Sequence, residues 1–453
     1  MARNFPEPAI VMLCFLWGIW LYDGYLGPPA EAPAQTQELA FQSIDRRLRL
    51  ADSYSRRPEV LRVMAGVPTL DDALNRAVRQ LEEVWRVRCL TAEGAVVRSI
   101  LLAAAGDREA AGMFVPAASS FESRLLSAEL KGRAPDRGDV AQLAALLATD
   151  KARWWHMALA RGLPENEQAD LREALDCQEK LGEQIARRLF WMRSAIWVLV
   201  LAGLFFIPRS LRLLDKGLHR PVKGLGYASL WPIRLTLGIF LVCELSGIGI
   251  SGAYGFLSVH LDAQPSLVYL GIDSASRLIP AGLACAFLFH RSRHAFRVFG
   301  VGRPIRLGGL LGVFTLVFVL QETLRIVMGD RISIDPTGGM DLWQAGWAGL
   351  AAMLVSACIV APISEEILYR GVLFQGLLNR FGPLAAALLS AFIFTIVHFY
   401  GLYGTLGVGI LGVALALVYH ATRSLPAVII FHAIYNLTAI LPDWIVNHGP
   451  LGP

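Results

Sequence analysis

Charge is scarce in this chain. Of 453 residues, 17% are Asp, Glu, Lys or Arg and 55% are hydrophobic, whereas soluble globular chains carry roughly 25% charged residues. That excludes an ordinary soluble protein over most of the length and leaves a polytopic membrane protein. The net charge of +5 is dispersed among loops, so it reads as membrane topology and not as a nucleic-acid footprint. Six cysteines occur with no Cys-x-x-Cys spacing, which removes zinc-finger and dithiol redox motifs. Cys14, Cys243, Cys285 and Cys358 lie in apolar segments as small core residues. Cys89 and Cys177 lie in the one long polar region and could pair if it faces an oxidising compartment. No His-Glu-x-x-His segment is present, and the Gly-rich run from Gly401 to Gly412 has no lysine. The run therefore reads as small-residue helix packing and not as a phosphate loop. No internal repeat is obvious, which argues against a transporter using buried charges as an ion path.

What is present divides into four parts. Residues 8–27 form a Trp-rich apolar segment with no small-residue cleavage site, as a retained membrane anchor would. The linker-like run 28–34 opens a region, 28–190, that is rich in Ala, Leu, Arg and Glu. There Thr69-Leu70-Asp71-Asp72 resembles a capping box, and apolar residues recur at helical spacing through Leu81, Val84 and Trp85. Further helices are expected at 118–131, 138–161 and 165–190, the last running on into the next span. Trp154-Trp155 beside His156 reads as core and not as a ligand site. Residues 191–340 hold spans at about 190–208, 230–257, 267–290 and 307–328. The basic loops 208–229 and 291–306 alternate with a loop free of Lys and Arg at 259–265 and an Asp-rich one around Asp330, Asp335 and Asp341. The positive-inside rule then puts the basic loops and the amino terminus in the cytoplasm and 28–190 outside it. Residues 341–445 hold a span at 345–361 broken at Pro362, a helix at 363–379, and spans at 384–402, 404–420 and 425–444. The expected fold is all-α: a membrane bundle of about 9–10 apolar helices with an inserted helical soluble domain.

The last part carries the chemistry. Ala361-Pro362-Ile363-Ser364-Glu365-Glu366-Ile367-Leu368-Tyr369-Arg370-Gly371 sets two carboxylates and a guanidinium in an apolar stretch, where charge is costly and often functional. Glu366 and Arg370 are four apart and share a helical face. Glu365 is turned about 100° away, which leaves it free of the arginine. Phe394 and His398 are four apart in a later apolar segment, and His432 and Asn436 in another. Glu, His, His and Asn are the residue types that activate a water and stabilise an oxyanion.

These three motifs, in this order, make residues 345–440 similar to the type II CAAX prenyl endopeptidase and bacteriocin-processing family of intramembrane proteases. The resemblance does not extend over 28–190. It implies a glutamate-activated water, with Glu365 as general base, His398 helping to hold the water, and His432 and Asn436 stabilising the oxyanion. Glu366, Arg370 and Phe394 would support the site. The cofactor is left open between none and zinc; Glu365, His398 and His432 are the candidate ligands if a metal is present. The partners implied are the lipid bilayer and a membrane-associated peptide or protein, with no nucleic acid. A bacterial inner membrane suits the retained anchor and the basic loops. The competing function is a non-catalytic membrane scaffold or immunity protein that retains the fold. Asp273 and Arg277 read as a pair within one helix, Glu244 lacks a partner in sequence, and Gln321, Glu322 and Arg325 read as interfacial.

Overall fold

A computed structural model describes residues 6–27, 35–88, 90–114, 120–222, 232–258, 266–289, 299–329, 332–335 and 346–449. The linker at 28–34, Cys89 and with it the proposed disulfide, the 259–265 loop, parts of both basic loops, Asp330 and Asp341 lie outside these residues. The described residues form helices and no strand. In chain order they are α1 (Glu7–Leu26), α2 (Thr36–Ser55), α3 (Glu59–Ala65), α4 (Leu70–Val87), α5 (Ala92–Ala104), α6 (Arg108–Phe114), α7 (Phe121–Leu130), α8 (Arg137–Leu147), α9 (Trp154–Gly162) and α10 (Glu165–Leu204). They continue with α11 (Ile207–His219), α12 (Ile233–Ser258), α13 (Ser266–Phe289), α14 (Leu307–Met328) and α15 (Gly346–Val355). A π-helical stretch, Ser356–Val360, leads to α16 (Ala361–Glu365), and a second one, Glu366–Phe374, leads to α17 (Gln375–Ile396). The chain ends with α18 (Leu402–Thr422) and α19 (Leu425–Asn447). Two compact units result. One comprises 1–28, 196–333 and 348–440, the other 29–195, 334–347 and 441–453.

The second unit is a helical body with an apolar core that includes Leu48, Tyr54, Leu74, Leu81, Leu101 and Trp155. Thr69 caps α4 by accepting from the Asp72 amide, while its hydroxyl donates to the Asp72 carboxylate at 2.6 Å, so only half of a capping box forms. Trp85 departs from the expected buried stripe: it is exposed, with the Arg98 guanidinium 5.9 Å from its ring. Trp154 and Trp155 are core residues. They are set by a buried polar post in which Asp45 accepts from the Trp154 amide at 2.5 Å and from Arg49 at 2.9 Å. Arg49 also donates to the Ala152 carbonyl at 2.8 Å, so this buried charge is paired and hydrogen-bonded. As expected, the helix that begins at Glu165 continues without a break to Leu204.

Among the described residues, six helices are long and apolar enough to cross a membrane, or up to seven if a bent pair counts as one span. The protein is an integral membrane protein. Against the 9–10 expected, residues 346–396 form one helical run of 51 residues in place of three segments, the 190–208 span belongs to the bent pair Glu165–Leu204 and Ile207–His219, and α13 is not among the six. Pro362 does not break it. Proline lacks an N–H and its ring crowds the preceding turn, and the π stretch before it supplies a wider ring, closed by Ala361 N–H to Ser356 O. The run bends instead at Gly382, whose φ of 78° is followed by Pro383. Close helix approach uses glycine where expected: a Cβ on Gly412 of α18 would stand 3.0 Å from Ala391 Cβ of α17.

Candidate active site

Glu365 closes α16 and Glu366 opens the second π stretch. π-helical insertions concentrate at functional sites because the extra residue per hydrogen-bonded ring re-aims side chains. Here it separates the surroundings of two adjacent carboxylates. Glu366 is wholly buried, with its Oε1 3.1 Å from Arg370 Nη1 and 2.8 Å from His432 Nδ1. The arginine contact is an ion pair without the alignment of a hydrogen bond. Arg370 donates to the Gly412 carbonyl at 3.3 Å, and its guanidinium lies 4.5 Å from the centre of the Phe394 ring. The expected structural pair therefore exists, and it has a third member, His432, that the helical spacing could not supply.

Glu365 faces the other way. It lines a cavity of about 580 Å³ together with Glu244, Asp273, Arg277, Tyr369 and His398. Its Oε1 accepts from Arg277 Nη1 at 2.8 Å, and its Oε2 stands 3.9 Å from His432 Nε2. His432 thus sits between the two glutamates. With Nδ1 donating to a carboxylate paired with arginine, Nε2 is left pointing at Glu365, the tautomer being fixed by the partner on the other nitrogen. On helix rise alone His398 and His432 lie at different depths. The structure brings them together because α17 ends at Ile396 and His398 lies beyond its end. His398 Nδ1 donates to its own Phe394 carbonyl at 2.6 Å, and both imidazoles pack against Phe394, at centroid distances of 4.8 and 6.0 Å. Phe394 is buried. Asn436 does not line the cavity; its amide donates to the Ala357 carbonyl in the first π stretch at 2.7 Å.

Zinc ligands lie at about 2.0–2.2 Å from one centre for nitrogen and oxygen donors. Glu365, His398 and His432 are not grouped in that way. Among the described residues no three His, Cys, Asp or Glu side chains are placed to hold a metal ion. The residues do not fit a metal as they stand, and no step below runs through one.

Residues 347–438 match the Rce1-like family, type II CAAX prenyl endopeptidase Rce1-like. The matched stretch begins at α15 and ends inside α19, and holds Glu365, Glu366, Arg370, Phe394, His398, His432 and Asn436. No curated protein and no solved structure matches the chain.

Several site neighbours escaped the sequence reading. Sequence spacing pairs Arg277 with Asp273 alone, and that pair does form at 2.9 Å, but the arginine also reaches Glu365. Glu244, without a partner in sequence, lines the cavity and hydrogen-bonds Tyr369. Trp20 of α1 also lines it, and packs edge-on against Phe399, the residue after His398. Gln321 is not merely interfacial: it donates to the Gly407 carbonyl at 2.8 Å and accepts from Tyr435. Asp273–Arg277 apart, these contacts span 86 to 379 residues of sequence, and no local spacing signals them.

Proposed function

We propose that this protein is an intramembrane endopeptidase that hydrolyses a peptide bond in a membrane-associated peptide or protein. The single observation that carries the reading is the contrast between the two glutamates. Glu366 is buried and paired, whereas Glu365 opens onto a cavity shared with His398 and lies next to His432. The family match over 347–438 supports the reaction class.

Glu365 takes a proton from a water held with the help of His398. The water oxygen bonds to the scissile carbonyl carbon and the carbonyl π pair moves onto its oxygen. His432, held at Nδ1 by Glu366, turns its Nε2 edge toward that oxyanion. Asn436 uses one of its two amide hydrogens on Ala357 and does not line the cavity, so its contribution to the oxyanion is assigned on the family motif alone. When the tetrahedral intermediate collapses, the C=O bond re-forms, the C–N bond breaks, and the proton on Glu365 passes to the leaving nitrogen. Residues 341–445 form the catalytic core. The amino terminus and the basic loops face the cytoplasm of a bacterial inner membrane, and 28–190 lies on the other side.

The test uses the purified full chain in proteoliposomes with a fluorogenic lipidated-peptide library, comparing wild type, Glu365→Gln and His432→Ala. Cleavage lost in both variants is expected. Cleavage that survives Glu365→Gln at the wild-type rate removes the assignment of the base.

A further inference from the structure

We propose that Asp273 and Arg277, on α13 and outside the family-matching stretch, are positioning residues for Glu365 and select its Oε2 as the oxygen that accepts the proton from water. The inference rests on the reading of Glu365 as general base and goes beyond it by naming the device that aims it.

Three contacts make the device. Ser356, at the head of the first π stretch, donates to Asp273 Oδ2 at 2.5 Å. Arg277 Nε donates to Asp273 Oδ1 at 2.9 Å. Arg277 Nη1 donates to Glu365 Oε1 at 2.8 Å. Ser356 and Glu365 lie on one continuous helical run, so α13 grips that run at two points nine residues apart. Neutralising the arginine within its own helix needs Asp273 alone. The third arm reaches 88 residues along the chain to the one glutamate of the pair that faces the cavity. Among the described residues that line the cavity, Arg277 is the only Lys or Arg, and the carboxylates there include Glu244, Asp273 and Glu365.

The consequence is an asymmetry between the two oxygens of Glu365. Oε1 accepts a charge-assisted bond of the strong kind, so its lone pair is engaged and its position fixed. Oε2 is 3.9 Å from His432 Nε2, beyond hydrogen-bond range, and is the oxygen left to take a proton. The planar guanidinium also fixes the plane of the carboxylate by spanning Asp273 and Glu365 at once. A lysine ammonium carries the same charge without that fork.

The experiment measures kcat and KM on a peptide that the wild-type full chain cleaves in proteoliposomes, for Arg277→Gln, Arg277→Lys and Asp273→Asn. Thermal midpoints establish which variants are folded. Misplacing a reacting group by about 1 Å costs about 100-fold, so Arg277→Gln is expected to lower kcat about 100-fold with KM within about threefold. Arg277→Lys recovers about tenfold of that loss, and Asp273→Asn, which loosens the arginine without removing it, costs about tenfold. The deciding measurement is Arg277→Gln in a Glu365→Asp background, where the shortened side chain has already left the guanidinium. There it should cost less than about twofold, as expected for residues that act as a unit. A wild-type kcat in folded Arg277→Gln overturns the proposal. So does a raised KM at unchanged kcat, which would make Arg277 a substrate contact. A full loss in the Glu365→Asp background also overturns it, as a structural support. If Arg277→Gln does not fold, Arg277→Lys and Asp273→Asn carry the same criteria. Cleavage that survives Glu365→Gln removes the assignment of the base, and a wild type that cleaves nothing sinks the endopeptidase reading itself; both outcomes are distinct from the other three.

Discussion

Replacing Arg370 by Met should destabilise the membrane unit strongly, and replacing Glu366 in the same chain should restore much of the loss. Both side chains are wholly buried, with the charges 3.1 Å apart. Breaking a buried pair by removing one partner costs about 3–5 kcal/mol, because the remaining charge is stranded. For Arg370→Met the stranded group is Glu366, whose second oxygen is already buried without a hydrogen-bond partner. The lost contact with the Phe394 ring adds about 1 kcal/mol, for a total of about 4–6 kcal/mol. Glu366→Gln strands Arg370 instead and costs about 3 kcal/mol. Independent effects would sum to about 8 kcal/mol, whereas a chain with neither charge has nothing left to strand and should lose only about 2 kcal/mol, a coupling of about 6 kcal/mol. Unfolding of the full chain in mixed micelles against rising SDS mole fraction, followed by tryptophan fluorescence, reads all four species. Peptidase activity should stay low in the double variant, because His432 loses the carboxylate that holds its Nδ1. Additive costs, within about 0.5 kcal/mol, would refute the view that the pair is one electrostatic unit. Full activity in the double variant would refute the role of Glu366 in orienting His432.

Three further outcomes follow from the same contacts. Burial, with Arg153 and Arg49 nearby, pushes His156 down from 6.5 to about 4. The unfolded chain therefore binds the proton first as pH falls, and stability that is full above pH 6.5 declines toward pH 4 by about 3 kcal/mol, at 1.36 kcal/mol per unit. Denaturation of the full chain across that range should show the decline in wild type and a weaker one in His156→Gln; parallel curves would remove the assignment. Gly412→Val places a Cβ 3.0 Å from Ala391 Cβ and 3.2 Å from its Cα, so α17 and α18 must separate at a cost of about 1–3 kcal/mol, read in the same SDS titration. Phe399 adopts φ of 51° between the rings of Trp20 and Tyr25, beside His398; Trp20→Ala should loosen that turn and lower kcat about tenfold, and an unchanged kcat would show that α1 does not hold it.

The parts of this molecule that were legible in sequence are those written in local spacing. Scarce charge over long apolar runs gave an all-helical membrane protein, and Thr69, Trp154 and Trp155 marked elements of the polar region before any coordinates. Glu366 and Arg370 were readable as a pair because they are four apart, and they meet at 3.1 Å. What local spacing could not show was the shape of the run that carries them. In a segment apolar on all sides there is no polar face to betray a change of period, so the π stretches at 356–360 and 366–374 left no trace, and Pro362 read as a break when the wider ring before it absorbs the proline. The break is at Gly382, where a positive φ suits glycine and the next residue is proline. The site suffers from the same limit in a sharper form. The identity of Glu365 as the free glutamate was a matter of subtraction, one guanidinium against two carboxylates. The structure shows that it has a guanidinium too, from α13, while Glu366 has a histidine from α19 in addition to its own arginine. Each carboxylate is thus held by a basic partner from a distant helix, and the difference between them is not pairing but access. One is closed off at 0% side-chain exposure and the other opens onto the cavity at 14%. A general base needs both an anchor on one oxygen and an approach to the other. Of the two adjacent glutamates, Glu365 alone opens onto the cavity while one of its oxygens is anchored, and that is why the base is proposed there.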